Sequence, residues 1–278
     1  MKKKSLFLRY FLSYLGIILI SVITFGMLFY YFNVISLNTE VKNNQFASVS
    51  RSLNRIDYML ESMSNIAYHF SSREVDSGFY QYREQKSQKA FSELLSQRLN
   101  SYVNNMTEDV QLLLYFRGDT DIYSADGKYR YIDFEEHVGT NTNLTMSGLF
   151  STLNSTQNNK ALRMLKEGQS MQQDAPLAAF VYPIPYMSLI PEASLAFLVS
   201  EKEFTSIFDN YSGESRRNTY LLDNNLNVVY SSEAFSLEEQ ELAKLISMKG
   251  VGTFEESVQN QPAIVMRALS ENSGYSLL

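Results

Sequence analysis

Val110-Gln-Leu-Leu-Leu-Tyr-Phe116, then Arg117-Gly-Asp-Thr-Asp121, then Ile122-Tyr-Ser124: an apolar run, a polar break and a second short run decide what kind of domain this chain forms. Seven nearly unbroken apolar positions with β-preferring ends read as a strand. Gly118 and Asp119 supply the chemistry of a tight turn, so the Arg-Gly-Asp triplet is explained by the turn without an adhesive role. Ile122 to Ser124, closed by Ala-Asp-Gly, is the returning strand.

Downstream, residues 126–173 are polar and Asn-rich, with helical patches at Met146 to Leu153 and Ala161 to Lys166. An irregular excursion of that length is where a binding domain builds one wall of a pocket. Leu177 to Ile184 and Ser194 to Ser200, punctuated by Pro176, Pro185 and Pro191, read as two further strands forming a hairpin. Glu201 to Tyr211 has Phe204, Ile207 and Phe208 on one side of a connecting helix. The theme then repeats: Thr219 to Leu222, the turn Asp223-Asn-Asn225 and Leu226 to Tyr230, followed by a Glu-rich helix from Leu237 to Ser247 with Ser236 at its N-cap position. Gly252 to Val258, Ala263 to Leu269 and Tyr275 to Leu278 add strands to a second sheet, which reads as cut short because its last strand ends on Leu-Leu.

Upstream, Ala90, Leu94, Leu95, Leu99 and Val103 restore a helical period. Before them Phe46, Val49, Leu53, Ile56, Leu60, Met63, Ala67 and Phe70 form a heptad-like stripe on a long helix, with Arg51, Asn54, Arg55, Glu61 and Asn65 opposite. Such a stripe needs a cover, either the chain's own sheet or a second copy in a homodimer. No Asp, Glu, Lys, Arg or His occurs from Tyr10 to Thr39, and Phe11 to Phe32 is almost wholly apolar, longer than the ~20 residues that cross a bilayer as a helix. Lys2, Lys3, Lys4 and Arg9 precede it, so the positive flank is expected inside and the remainder outside the cell. The apolar run is too long for an ordinary secretory signal.

The resulting division is a cytoplasmic basic tail (1–9), a transmembrane helix (10–35), a long helix and helical hairpin (36–105), a membrane-distal sheet subdomain (106–200), a linking helix (201–215) and a membrane-proximal sheet subdomain (216–278). The fold class is α+β.

Composition excludes several chemistries. A net charge of -6 argues against a nucleic-acid surface, which needs clustered Lys and Arg. The absence of cysteine removes disulfides and thiolate ligands, and two isolated histidines, His69 and His137, do not make a multi-histidine metal site. No cofactor is expected. The carboxylate pairs Glu135-Glu136, Glu238-Glu239 and Glu255-Glu256 are adjacent in sequence and so do not converge on one substrate. No nucleophile with a base and no phosphate loop appears at a meaningful spacing, so a non-enzymatic role is expected.

What remains for a site is tyrosine: 19 tyrosines and no tryptophan. Tyrosine joins an apolar face to a hydroxyl, suited to grasping a small polar ligand. Tyr123, Tyr129, Tyr131 and Tyr182 lie on or near the first sheet, with Arg130 and Asp133 as the charged candidates beside them.

The order of anchor, exit helix, larger sheet, linking helix and smaller sheet resembles the double-Cache extracytoplasmic sensors of Gram-positive bacteria, whose two subdomains are PAS-like mixed α/β units. Phe7-Leu-Arg-Tyr-Phe-Leu-Ser-Tyr-Leu15 followed by Ile17-Ile-Leu-Ile20 resembles the start of membrane-bound AraC-type transcription regulators. Val110 to Phe116, Ser194-Leu-Ala-Phe-Leu-Val199 and Tyr220-Leu-Leu-Asp-Asn-Asn-Leu-Asn-Val-Val-Tyr230 carry further local likeness. The resemblance implies an extracellular small-molecule receptor controlling a cytoplasmic DNA-binding domain that this sequence does not contain. Sensor histidine kinases and chemoreceptors carry similar input regions and stay open as alternatives, as does a membrane-tethered, non-catalytic scaffold. The amino-acid-binding version of the fold uses a pattern that includes tryptophan, so that ligand class does not carry over.

Overall fold

The computed structural model describes residues 2–72, 88–131, 133–134, 145–163, 176–208, 218–233, 237–248 and 250–278. The chain divides into two compact units, Met1–Ser48 and Val49–Leu278. The described part of the first unit is helical throughout, the beginning of α1 (Lys2–Phe70). Its most apolar 18-residue window has a mean hydropathy of 2.2 and none of it buried, so the helix is long and apolar enough to cross a membrane. The hydroxyls of Ser21, Thr24 and Thr39 and the Asn33 amide each donate to the carbonyl four residues back, satisfying their polar groups within the helix.

The second unit is α+β. Its first sheet holds β1 (Val110–Phe116), β2 (Asp121–Ser124), β3 (Gly127–Arg130), β4 (Lys160–Arg163), β5 (Pro176–Ile184) and β6 (Ala193–Ser200), in the order β3-β2-β1-β6-β5-β4 with every pairing antiparallel. Leu53, Ile56, Leu60, Met63, Ala67 and Phe70 of α1, with Phe91, Leu95 and Leu99 of α2 (Gln88–Val103), are buried in the core over one face. Leu149 and Leu153 of α3 (Thr145–Ser155) are buried over the other. With both faces covered, β1 and β6 can be apolar at nearly every position.

α4 (Glu201–Phe208) leads toward the second sheet, of β7 (Asn218–Leu222), β8 (Val228–Glu233), β9 (Gly252–Val258), β10 (Gln261–Leu269) and β11 (Ser276–Leu277), ordered β8-β7-β11-β10-β9. The two-residue strand β11 is central, pairing antiparallel with β7 and β10, and Leu278 exchanges two backbone hydrogen bonds with Tyr220 at 2.9 Å each. Leu221, Val229, Tyr230, Ala268 and Leu277 join the core that contains α1, while α5 (Glu239–Ser247) covers a small cluster of Leu245, Val258 and Val265.

Several expectations change. Of the α1 stripe that begins at Phe46, the part from Leu53 to Phe70 is covered by this chain's own core, the first of the two covers expected, while Phe46 and Val49 are half-buried. Gly127 to Arg130, read as irregular, is the edge strand β3. Ala161 to Arg163, read as helix, lies in the edge strand β4, because pairing with β5 overrides the helical propensity of Ala, Leu and Lys. Residues 164–166 of that patch lie outside the described residues, as do Ser236, His137 and residues 209–217 of the linking segment. α5 begins at Glu239 with Glu238 at its cap position and no side-chain capping bond.

Candidate ligand site

The six residues singled out in the sequence do not converge, and strand register explains why. In β2 and β3, Ile122 pairs with Tyr129 and Tyr123 with Lys128. Cross-strand partners share a face, so Tyr129 joins Ile122 on the α3 side while Tyr123 points to the α1 side. Tyr123 is buried there, edge-on to Phe91 (5.9 Å) and Phe116 (5.8 Å). Tyr182 of β5 is paired with Leu195 on the same side, edge-on to Phe197 at 5.5 Å. Burial raises the Tyr182 pKa far above the ordinary phenol value, and the neighbouring tyrosines Tyr275 and Tyr186 push it further. Both rings are core members on the face opposite α3.

Tyr129 and Tyr131 lie at the other face with residues the sequence did not single out. Tyr131 is 40% exposed, and its ring meets Phe150 of α3 edge-on at 5.1 Å. Phe150 also meets Tyr115 at 6.1 Å, and Tyr129 lies 6.3 Å from the buried Phe134. The Tyr115 hydroxyl lies within hydrogen-bond reach of the Asp119 carbonyl (2.9 Å) and Asn154 Oδ1 (3.2 Å); Asn154 Oδ1 also accepts from the Gly118 amide at 3.0 Å. The β1–β2 turn is thereby tied to α3. Burial raises the Tyr129 pKa, with Asp126 adding to the rise and a hydrogen bond from Ser124 opposing it. The helical pattern of Leu149, Phe150 and Leu153 was the available signal for this wall.

The two faces differ in side-chain size. Toward α1 the paired positions of β5 and β6 are Phe180 with Phe197 and Tyr182 with Leu195; toward α3 they are Ala179 with Leu198 and Val181 with Ala196. Small residues lower the floor of the α3 face, and Tyr129, Tyr131, Phe134 and Phe150 form an aromatic rim at one end. Arg130 and Asp133 are exposed beside that rim, the Asp133 amide donating to the Arg130 carbonyl at 3.1 Å. Asp121, opposite Arg130, is held by Lys128 at 2.6 Å. The arrangement offers apolar faces, phenol hydroxyls and one charge of each sign. Among the described residues, no group of three or more His, Asp or Glu side chains could hold a metal ion.

A groove of about 460 Å³ lies elsewhere, between Tyr58, Glu61, Asn65 and His69 of α1 and Tyr102 and Asn105 at the end of α2. It is open to solvent and lined largely by exposed helical side chains, whereas small-molecule sites bury most of their ligand against an apolar floor.

No protein-family model matches this chain, and no curated protein matches it. Among solved structures it is similar to the sensory domain of the chemoreceptor Tlp3 of Campylobacter jejuni, with a TM-score of 0.52 and 10% identity over 87% of this chain and 93% of that one. It is also similar to the extracellular domain of a protein described as a histidine kinase, with a TM-score of 0.56 and 12% identity over 88% of this chain and 95% of that one. At those identities the likeness is one of fold: this chain has the architecture of extracellular sensory domains.

Proposed function

We propose that this chain is the extracellular ligand-sensing region of a single-pass transmembrane receptor, with the basic residues Lys2, Lys3, Lys4 and Arg9 in the cytoplasm. The observation that carries the reading is the fold, shared over 87% and 88% of the chain with two sensory domains. A small solute would bind on the α3 face of the first sheet, its apolar part against Tyr129, Tyr131 and Phe150 and its charge against Arg130 or Asp133. Binding needs only to differ between two arrangements of the domain to shift their populations, and α1 would carry that shift toward the membrane. No catalytic step is required.

Two outputs fit. The sequence resemblance points to a cytoplasmic AraC-type DNA-binding regulator, with this segment touching no nucleic acid itself. The likeness to the sensory domain of a chemoreceptor and to the extracellular domain of a histidine kinase supports the second reading, an input region for chemotaxis or phosphorelay, about as well. In either case a homodimer would have to use the exposed face of α1 around Tyr58 and Tyr68, since the apolar stripe is buried.

The test is a thermal-shift screen of the full chain in lipid nanodiscs against amino acids, amines, carboxylates and sugars. A true ligand at about a hundred times its Kd stabilises by roughly 2.7 kcal/mol, and Tyr131→Ala with Arg130→Ala or Asp133→Ala should abolish the shift. A screen with no hit, or a hit indifferent to all three substitutions, sinks the reading.

A further inference from the structure

Three polar residues on α1 have no place in the ligand site, yet each reaches across the fold to the second half of the chain. The Ser52 hydroxyl, buried, donates to the Ile207 carbonyl at 3.1 Å, and Arg55 Nη1 donates to the Ser206 carbonyl at 2.9 Å. Both acceptors lie in the last turn of α4, where helical carbonyls lack intrahelical partners and a cation is favoured by the helix dipole. Asp57 Oδ1 accepts from the Ser273 hydroxyl at 2.5 Å, in a part-buried contact between residues 216 positions apart.

Ser273 belongs to the β10–β11 turn, which is cross-linked by its own hydrogen bonds. The Ser270 amide donates to the Tyr275 carbonyl at 2.8 Å, and the Gly274 amide to the Ser270 carbonyl at 3.1 Å. Ser270 Oγ accepts from the amides of Asn272 (3.2 Å) and Ser273 (3.0 Å). Gly274 sits at φ +73, where a Cβ would approach the Asn224 Cβ at 3.3 Å, so this turn packs closely against the β7–β8 turn. The latter is itself cross-linked by Asp223, which accepts from the amides of Asn225 and Asn227 at 2.8 Å each and from the Asn227 side chain at 2.9 Å. Tyr275 lays its ring 6.4 Å from Phe180 of β5, and its residue is followed at once by β11, the central strand of the second sheet.

We propose that Ser52, Arg55 and Asp57 form a latch that holds α1 in one register against α4 and the β10–β11 turn, so that α1 cannot slide or rotate past the second sheet without releasing it. Within the sensory reading above, on which this inference rests for its purpose, the second sheet is then a brake on the helix that carries the signal. Packed elements joined by a few directional contacts have discrete arrangements and switch between them. The latch residues are positioning residues and touch no ligand.

The chain contains no cysteine, so spin labels can be placed singly. Nitroxides at Glu61→Cys and Asn272→Cys report α1 against the turn, and Thr120→Cys with Lys160→Cys reports the first sheet alone; all four positions are exposed. Pulsed electron–electron distance distributions are measured on the full chain in nanodiscs without added solute. Asp57→Ala and Ser273→Ala should each roughly double the width of the first distribution, as expected when one of two packed arrangements is no longer enforced. The double variant should be no wider than either single one, since both remove the same bond. The reference distribution should not change. An unchanged width, additive broadening, or a reference pair that broadens in step overturns the latch. Because no solute is present, a chain that binds no small molecule would overturn the sensory reading and leave this result standing.

Discussion

The two sheets of the second unit, one of six strands and one of five, hold themselves together differently. In the first, β1 is buried at six of its seven positions and β6 at seven of its eight, because helices cover both faces. In the second, β9 is buried only at Val258, and β10 only at Val265, Arg267 and Ala268. The difference lies on one face: the second sheet shares the α1 core through Leu221, Val229, Tyr230, Ala268 and Leu277, but over its β9–β10 part α5 contributes one buried apolar residue, Leu245, to a three-residue cluster. A sheet packed on both faces is a rigid platform for positioning ligand-contacting residues. One with fewer buried contacts opens at lower free energy, which suits an element that must change state.

The sharpest way to break that contrast is to empty one position in each core. Phe197→Ala, at a fully buried site packed edge-on to Tyr182, should cost about 3–5 kcal/mol in denaturant unfolding. Val265→Ala, in the small cluster under α5, should cost about 1–2 kcal/mol, the worth of the apolar groups removed. Equal losses would mean that the second sheet is as tightly packed as the first.

If apolar cover is thin in the second sheet, polar ties should matter more there. Arg267 of β10 is buried and donates through Nη1 to the Ile246 carbonyl at 3.1 Å and to the Met248 carbonyl, closing the C-terminal end of α5. Arg267→Ala removes charge-assisted bonds and leaves those carbonyls without their donor, a loss of about 1.5–3 kcal/mol. Hydrogen exchange should localise it to α5 and β9, with the first sheet's protection unchanged; exchange rising evenly across both sheets would contradict the separation.

Alkaline pH sharpens the comparison through two phenols, the buried Tyr182 in the first-sheet core and the half-buried Tyr275 at the β10–β11 turn. Burial raises both pKa values, with Tyr186 and Tyr275 adding to the first and Asp223 to the second. A folded-state pKa above the unfolded value of about 10 means the folded chain holds more protons in between, so stability is full below about pH 10 and falls as pH rises beyond it. Tm measured from pH 8 to 11 should be level and then decline. Tyr275→Phe and Tyr182→Phe should each flatten the decline, and a slope unaltered in both would show that neither phenol governs it.

The fold was legible where cover is complete. Val110 to Phe116 and Ser194 to Val199 read as strands because burial on both faces demands apolar residues at every position. Edge strands carry the opposite signature: Gly127-Lys-Tyr-Arg130 and Lys160-Ala-Leu-Arg163 are four residues long and charged, which protects a sheet edge and erases the alternation that identifies a strand. The site was half legible for a related reason. Tyrosine content marked the first sheet, but the face each ring takes depends on the register across the Ala-Asp-Gly turn, and a shift of one residue in β3 would put Tyr129 on the same face as Tyr123. Phe134 joins the rim through tertiary packing that no local spacing encodes, and Phe150 was signalled only by the helical pattern it shares with Leu149 and Leu153.

The smallest effect expected concerns the junction between rigid platform and site wall. The Tyr115 hydroxyl lies near the Asp119 carbonyl and Asn154 Oδ1, while its ring supports Phe150, which in turn backs Tyr131. Tyr115→Phe keeps the ring and deletes the hydroxyl, so the loss should be near that of one ordinary hydrogen bond, about 1 kcal/mol. Asn154→Ala would also release the Gly118 amide, which can donate to water at its exposed position and so adds little. The informative quantity is the double variant. Because the two residues share one contact, the combined loss should fall short of the sum of the singles. Full additivity would mean that the β1–β2 turn and α3 are held independently, and that the aromatic rim is braced by ring packing alone.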